Sequence, residues 1–349
     1  IAKALSKNAK IIIMDEPTSS LTLSETDKLL SVISELRVKG IAIIYISHRL
    51  GEVSQCADRV VALRDGANAG ELSRNEITHD AMVSLMVGRT LERNTHEHSQ
   101  INTDDKGLEI SNLRTSTYPD CKVSFHVAAG EILGMAGLVG AGRSELAQTV
   151  FGVDPALDGE VKINDEGVKR GSSRASINAG IYLAPEDRKR TGLVTEFDIS
   201  KNVSLASLRK YSNKLGLIDN NAEDVAAEHQ VESLNIKTPS TQTPVINLSG
   251  GNQQKVVLAK WLSMEPKAII FDEPTRGIDV GAKAEIYKLM RNLAKQGVAI
   301  WMISSDMEEV LGISDRIAVM HEGKITGEIE RESFSEEAIM HLAVGGKNQ

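Results

Sequence analysis

The stretch GLVGAGRS at residues 137–144 has the spacing of a loop that cradles phosphate: glycine, four residues, glycine, then a cation and a hydroxyl. Gly137, Gly140 and Gly142 let the backbone approach anionic oxygens closely, and Leu138, Val139 and Ala141 complete the run of N–H donors between them. A helix opening near Arg143 would add the positive end of its dipole. Ser144 is placed to hold Mg²⁺ through its hydroxyl. A dinucleotide-binding turn is excluded, because the third glycine of that fingerprint would fall on Glu145. A tight strand–helix turn without a ligand is the competing reading. Arg143 stands where such loops carry Lys. Its guanidinium is planar and bulkier than an ammonium. The loop is therefore expected to bind phosphate and to stabilise a transferring phosphoryl group poorly.

Two further stretches carry complementary chemistry. AIIFDEP ends an apolar run in two carboxylates, Asp272 and Glu273. At a strand end Asp272 is placed to hold Mg²⁺, directly or through water, and Glu273 to polarise an attacking water. KIIIMDEP repeats the pattern with Asp15 as metal ligand and Glu16 as catalytic carboxylate. A pair of solvent-facing acids would explain one such stretch, but not two in matching register. LSGGNQQK, residues 248–255, opens a helix with Ser249, Gly250 and Gly251, whose N–H groups form an anion site, and continues through Gln253.

The elements needed to position these residues are legible. GEILGMAGL, AIIFDEP, VAIWMISSD and RIAVMHEGKITGEI read as strands, and RSELAQTVFG and GAKAEIYKLMRNLAKQG as helices. Their alternation predicts an α/β fold, a mostly parallel sheet with helices on both faces, with ligands at the carboxyl ends of the strands. The chain also matches itself. Asp15 and Glu16 align with Asp272 and Glu273, Gly40 with Gly297, Asp58-Arg59 with Asp315-Arg316, and Gly66 with Gly323, all without a gap. The expected organisation is the rear part of a first domain over residues 1–91, a polar linker over 92–106, and a complete second domain over 107–345. The chain begins without Met and inside a helical pattern, so it reads as a piece whose N-terminal portion is absent. His96 and His98 lie in the linker, where a solvated segment is favoured over a metal site.

Bulk properties narrow the function classes. Net charge is −8 over 349 residues, which disfavours a broad nucleic-acid-binding face. Cys56 and Cys121 form no CxxC and read as reduced thiols. No apolar run reaches the roughly 18 residues needed to span a bilayer.

Together GLVGAGRSEL, PEDRKRTGL, LSGGNQQK and DEPTRGIDVGAK resemble the tandem ATPase subunits of bacterial monosaccharide importers, the ribose, galactose, arabinose and xylose type, within the ABC transporters. The resemblance covers nearly all of residues 107–330, and residues 1–66 as a partial first copy. It implies a P-loop NTPase domain with an added helical subdomain over about residues 187–215, which receives a loop of the permease. It implies ATP and Mg²⁺ as ligands, with ATP held between the phosphate loop of one domain and the signature motif of the other. It places His48 on the γ-phosphate, orienting Glu16 and the water, and puts Ser305 at the matching position of the second copy. The first copy's nucleotide, which meets Ser249, Gly250, Gly251 and Gln253, is then expected to be cleaved, and the second mainly bound. Glu186 is the candidate for the position where related domains carry a Gln that senses Mg²⁺ and the permease. Arg188, Lys189 and Arg190 read equally as a basic surface turn. Tyr118 is an open candidate for stacking on adenine. The implied partners are an integral membrane permease and, indirectly, a periplasmic sugar-binding protein, with the subunit peripheral on the cytoplasmic face of the inner membrane. The isolated chain is expected to be inactive alone. The alternative is a soluble tandem ATPase acting on ribosomes or nucleic acid, which would favour a long basic linker and two intact sites.

Overall fold

The computed structural model describes residues 9–15, 17–18, 23–47, 50–64, 67–78, 81–82, 84–85, 106–213 and 215–346. They fall into two compact units, residues 1–96 with 279–281 and residues 97–278 with 282–349.

In the first unit, β1 (Ile11–Asp15) and β2 (Ala42–Ile46) pair in parallel, and α1 (Leu23–Val38) connects them. Ile12 and Met14 point from β1 onto Leu29, Leu30, Ile33 and Leu36 of α1, giving that side of the sheet its core. After α2 (Leu50–Cys56), β3 (Arg59–Arg64) and β4 (Ala67–Ser73) form an antiparallel hairpin.

The second unit contains a four-stranded antiparallel sheet and a six-stranded, mostly parallel one. The first is built from β5 (Lys106–Thr115), β6 (Val123–Ala128), β8 (Ala156–Ile163) and β9 (Glu166–Gly167), in the order β6-β5-β8-β9. The second is built from β7 (Ile132–Gly137), β10 (Ile181–Ala184), β11 (Ala268–Asp272), β12 (Ala299–Ile303), β13 (Arg316–His321) and β14 (Lys324–Glu330), in the order β10-β11-β12-β7-β13-β14. Every neighbour pair in this sheet is parallel except β13–β14. The helices are α3 (Arg143–Phe151), α4 (Ser173–Ala179), α5 (Ile199–Ser204), α6 (Asn220–Ser233), α7 (Gly250–Leu262), α8 (Val280–Lys295), α9 (Met307–Ile313) and α10 (Glu336–Ala343). Strands β11 and β12 are buried at every position, as parallel strands covered on both faces must be. Trp301 on β12 is fully buried and meets Phe125 of β6 edge-on at 4.9 Å, joining the two sheets.

The repeat seen in the sequence recurs element by element. Asp15 sits opposite Ile46 as Asp272 sits opposite Ile303. The register shift in the β3–β4 hairpin, between Ala62 and Leu63, returns between Val319 and Met320 of β13. Burial differs between the copies. β1 alternates, with Ile11 and Ile13 62% and 67% exposed, whereas their counterparts Ala268 and Ile270 are fully buried. An uninterrupted apolar strand suits burial on both faces, and among the described residues the core packed on β1 lies on its α1 side.

Two features go beyond the pattern read from the sequence. The antiparallel sheet is one, because β5 and β8 are broken by register shifts that blur their alternation. The other is helical structure continuing past residue 215 into α6, whose polar sequence NNAEDVAAEHQVES has little apolar periodicity. Asp219 caps α6, accepting from the N–H groups of Asn221 and Ala222.

Candidate functional site

β11, β12 and β7 are consecutive in the sheet, so their carboxyl ends bring three loops side by side. The loop after β7 is residues 138–142. Gly137 enters it at φ 154°, and a Cβ there would lie 2.5 Å from the Met320 carbonyl of β13. Only glycine lets β7 end so close to its neighbour. The Ala141 N–H closes the loop on the Leu138 carbonyl at 3.0 Å, and Gly323 N–H holds the Ala141 carbonyl at 2.9 Å. A Cβ added at Gly140 would meet nothing within 4 Å, and Val139 at the tip is 96% exposed. α3 begins directly at Arg143, so its unpaired N–H groups face the loop.

Ser144, on the first turn of α3, donates its hydroxyl to Asp272 Oδ1 at the end of β11, at 3.0 Å. Burial pushes the Asp272 carboxyl up to about 6, and the Ser144 hydrogen bond pulls against that rise. A buried carboxylate beside a hydroxyl, at the mouth of a phosphate-type loop, fits a hard divalent cation that prefers oxygen ligands.

Arg143 turns inward and is 8% exposed. Its Nη1 donates to the Ser304 carbonyl beyond β12 at 2.6 Å, and its Nη2 lies 4.0 Å from Glu273 Oε1. Burial lowers its pKa from the ordinary guanidinium value, and the charges of Glu273 and Asp272 oppose that shift. The other oxygen of Glu273, Oε2, accepts from the Ser305 hydroxyl at 3.0 Å. Glu273 has φ 48°, a left-handed conformation rare for a side-chain-bearing residue, which aims it across at the end of β12. Both carboxylate oxygens of Glu273 thus face a neighbour belonging to this site.

Residues 121–276 match the profile of the ABC transporter family. The chain is 49% identical over its full length to a ribose import ATP-binding protein of Clostridium perfringens (strain 13 / Type A), of which it covers 69%. It is 46% identical to a xylose import ATP-binding protein of Moorella thermoacetica, over 99% of this chain and 70% of the relative. The chain belongs to the ATP-binding proteins of sugar-importing ABC transporters. Solved structures agree on the fold. A nucleotide-free ATP-binding cassette from an ABC transporter superposes over 69% of this chain and 99% of its own, with TM-score 0.58 and 20% identity. A dimeric cassette bound to ADP and Pi superposes over 65% of this chain, with TM-score 0.55. The ATPase reading and the P-loop α/β fold therefore stand, and the ribosome or nucleic-acid alternative is not favoured.

Within this ATP-binding subunit the signature segment opens α7. Ser249 is its cap, its Oγ accepting from the Asn252 N–H at 3.4 Å and from the Asn252 side-chain amide at 3.1 Å. Gly250 is half-buried and Gly251 is buried. Gln253 differs from expectation. Its Nε2 donates to the carbonyls of Val245 and Leu248, at 3.1 and 3.2 Å, and its Oε1 is buried without a partner. The side chain braces the loop entering α7 instead of facing outward, because residue 253 falls on the core side of that helix. Glu186 is partly exposed and ion-paired with Arg276. Asp15 ends β1 exposed. Glu16, His48 and the linker histidines His96 and His98 lie outside the described residues.

Tyr118 lies over the phosphate loop itself. Its hydroxyl donates to the Gly140 carbonyl, and its ring stands against Gly142 and Gly323. Sequence reasoning missed Ser304 and Glu309. The Ser304 hydroxyl donates to Glu309 Oε2 at 2.5 Å while its carbonyl receives Arg143, and burial pushes the Glu309 carboxyl up to about 7. The doubled serine of ISSD was the available signal. Among the described residues no helix is long and apolar enough to cross a membrane.

Proposed function

We propose that this ATP-binding protein energises uptake of a monosaccharide through a membrane permease, and that its second nucleotide site holds ATP without cutting it efficiently. The relatives named above import ribose and xylose, which supports a small sugar as cargo. The permease, a periplasmic sugar-binding protein feeding it, and a peripheral position on the cytoplasmic side of the membrane belong to this reading. The exposed apolar side chains of Val194, Phe197 and Leu205, in and beside the helical region, suit a face that meets the permease.

In the second copy, the N–H groups of residues 138–144 and the start of α3 would bind the β- and γ-phosphates. Ser144 and Asp272 would hold Mg²⁺, which neutralises phosphate charge when bound. Asp15 is the corresponding ligand of the first copy. The observation that carries the asymmetry is the position of Arg143 and Ser305 on the two oxygens of Glu273. A general base needs a free lone pair within reach of the attacking water. The first copy carries the fuller set of residue types, Glu16 and His48, and Ser249, Gly250 and Gly251 are the signature in this reading. Gln253 supports that segment from behind. Glu186, through Arg276, would report the state of the 186–192 turn.

The test is ATP turnover by the transporter assembled with its permease, carrying Glu16→Gln or Glu273→Gln. Glu16→Gln should abolish most turnover, and Glu273→Gln should leave most of it. Equal losses would sink the asymmetry.

A further inference from the structure

Arg188 lies outside the phosphate site, in the turn of residues 188–192 that follows β10. Its Nη1 donates to the Arg276 carbonyl at 2.9 Å and its Nη2 to the Gly277 carbonyl at 3.3 Å. A Cβ placed on Gly250 would stand 2.7 Å from that same Nη2 and 2.9 Å from the Gly277 carbonyl. Three segments thus converge on one guanidinium: the turn, the residues just after Glu273, and the first residue of α7. Gly250 is glycine here because the convergence leaves no room for a side chain.

The turn that carries Arg188 is itself fixed. Asp187 Oδ1 accepts from the N–H groups of Lys189 and Arg190, both at 3.1 Å. At the far end, Lys260 of α7 donates to the Gly192 carbonyl at 2.7 Å. Arg188 Nε is buried without a partner, and burial lowers the pKa of the group. A half-buried cation that donates to two carbonyls ties the segment supplying them to the turn that carries it.

We propose that Arg188 is a positioning residue that latches the start of the signature helix to the loop after Glu273, so that displacement of the 188–192 turn moves both together. The functional side of this proposal rests on the reading that Ser249–Gly251 and Glu273 serve ATP turnover; the latch itself does not.

The first measurement is hydrogen exchange on the wild-type protein and Arg188→Ala. The amide of Gln253 bonds to the Ser249 carbonyl, that of Arg276 to Glu273, and that of Ile278 to Thr275. All three should exchange faster in the variant, by about tenfold, the worth of one charge-assisted hydrogen bond, while the amides of β11 stay unchanged. Faster exchange confined to residues 188–192 would overturn the latch. Should Arg188→Ala not fold, Arg188→Lys carries the same comparison, because a single ammonium reaches one carbonyl and should give an intermediate change at all three amides.

The second measurement is ATP turnover by the transporter assembled with its permease. Arg188→Ala should lower kcat about tenfold with KM for ATP within about twofold, and Arg188→Lys should recover part of the loss. Gly250→Ala should cost less in the Arg188→Ala background than in the wild type, because one of its two clashes is gone. Additive losses, or a change in KM equal to that in kcat, would refute a positioning role. Exchange results as expected in a protein whose wild type has no ATPase would leave the latch standing and remove the functional reading beneath it.

Discussion

Replacing Arg143 by Lys tests most directly why the second site is slow. Arg143 and Glu273 approach to 4.0 Å with both side chains about nine-tenths buried. At that separation two unit charges attract by about 4 kcal/mol at the effective dielectric suited to protein sites. The Nη1 bond to Ser304 at 2.6 Å adds about 1.5–3 kcal/mol, the usual worth of a hydrogen bond to a charged group. An ammonium presents one compact head and cannot serve the Ser304 carbonyl and Glu273 together. If a third of the Arg143–Glu273 attraction is released when the water is attacked, the barrier falls by about 1.4 kcal/mol and the rate rises about tenfold. The assay is ATP turnover in the Glu16→Gln background, where the first copy is silent. Arg143→Lys should raise the residual rate about tenfold, and adding Glu273→Gln should abolish the gain. An unchanged rate in a variant that still binds nucleotide would refute the reasoning, because Glu273 would then not have been held back by its arginine neighbour.

Other expectations concern stability. Burial lowers the Lys260 pKa from 10.5 to about 8, and the ammonium donates to the Gly192 carbonyl and lies 4.5 Å from the centre of the Trp261 ring. Its folded-state pKa is depressed, so deprotonation favours the folded form: stability should rise as pH passes from about 8 to about 10.5, by up to about 3 kcal/mol. The difference in urea midpoint between the wild type and Lys260→Met should shift in the wild type's favour over this pH range, and a difference independent of pH would refute the assignment. Glu131 is buried, ion-paired with Arg316 at 2.8 Å, and accepts from the Ala128 N–H at 2.6 Å. Glu131→Ala should lower unfolding stability by about 3–5 kcal/mol, since it takes from a buried guanidinium the more deeply buried of its two acids. A loss below 1 kcal/mol in denaturant titration would show that Glu328 and the His126 carbonyl, its other acceptors, suffice.

The sequence by itself determined the chemistry and its order along the chain. The phosphate loop, the two carboxylate-ended strands and the signature helix start were all legible, because each depends on residue type at short spacing: glycines where the backbone must come close, acids where an apolar run stops, a hydroxyl at a helix cap. The constant register between the copies was legible for the same reason, and Asp15 and Asp272 do end matched strands. Tertiary structure alone decided where side chains turned. Nothing local says that Arg143 bends back to the Ser304 carbonyl; that follows from β12 lying between β11 and β7 in the sheet. Gln253 stands in a motif that reads as ligand-facing, yet the rotation of α7 against the core carries its amide inward to Val245 and Leu248. Arg188 looked like one cation in a basic turn until the fold brought the Arg276 and Gly277 carbonyls beneath it. Local pattern fixes what a residue can do, whereas the partner it meets depends on contacts made across long stretches of chain, and those exist only once the sheet has closed its order.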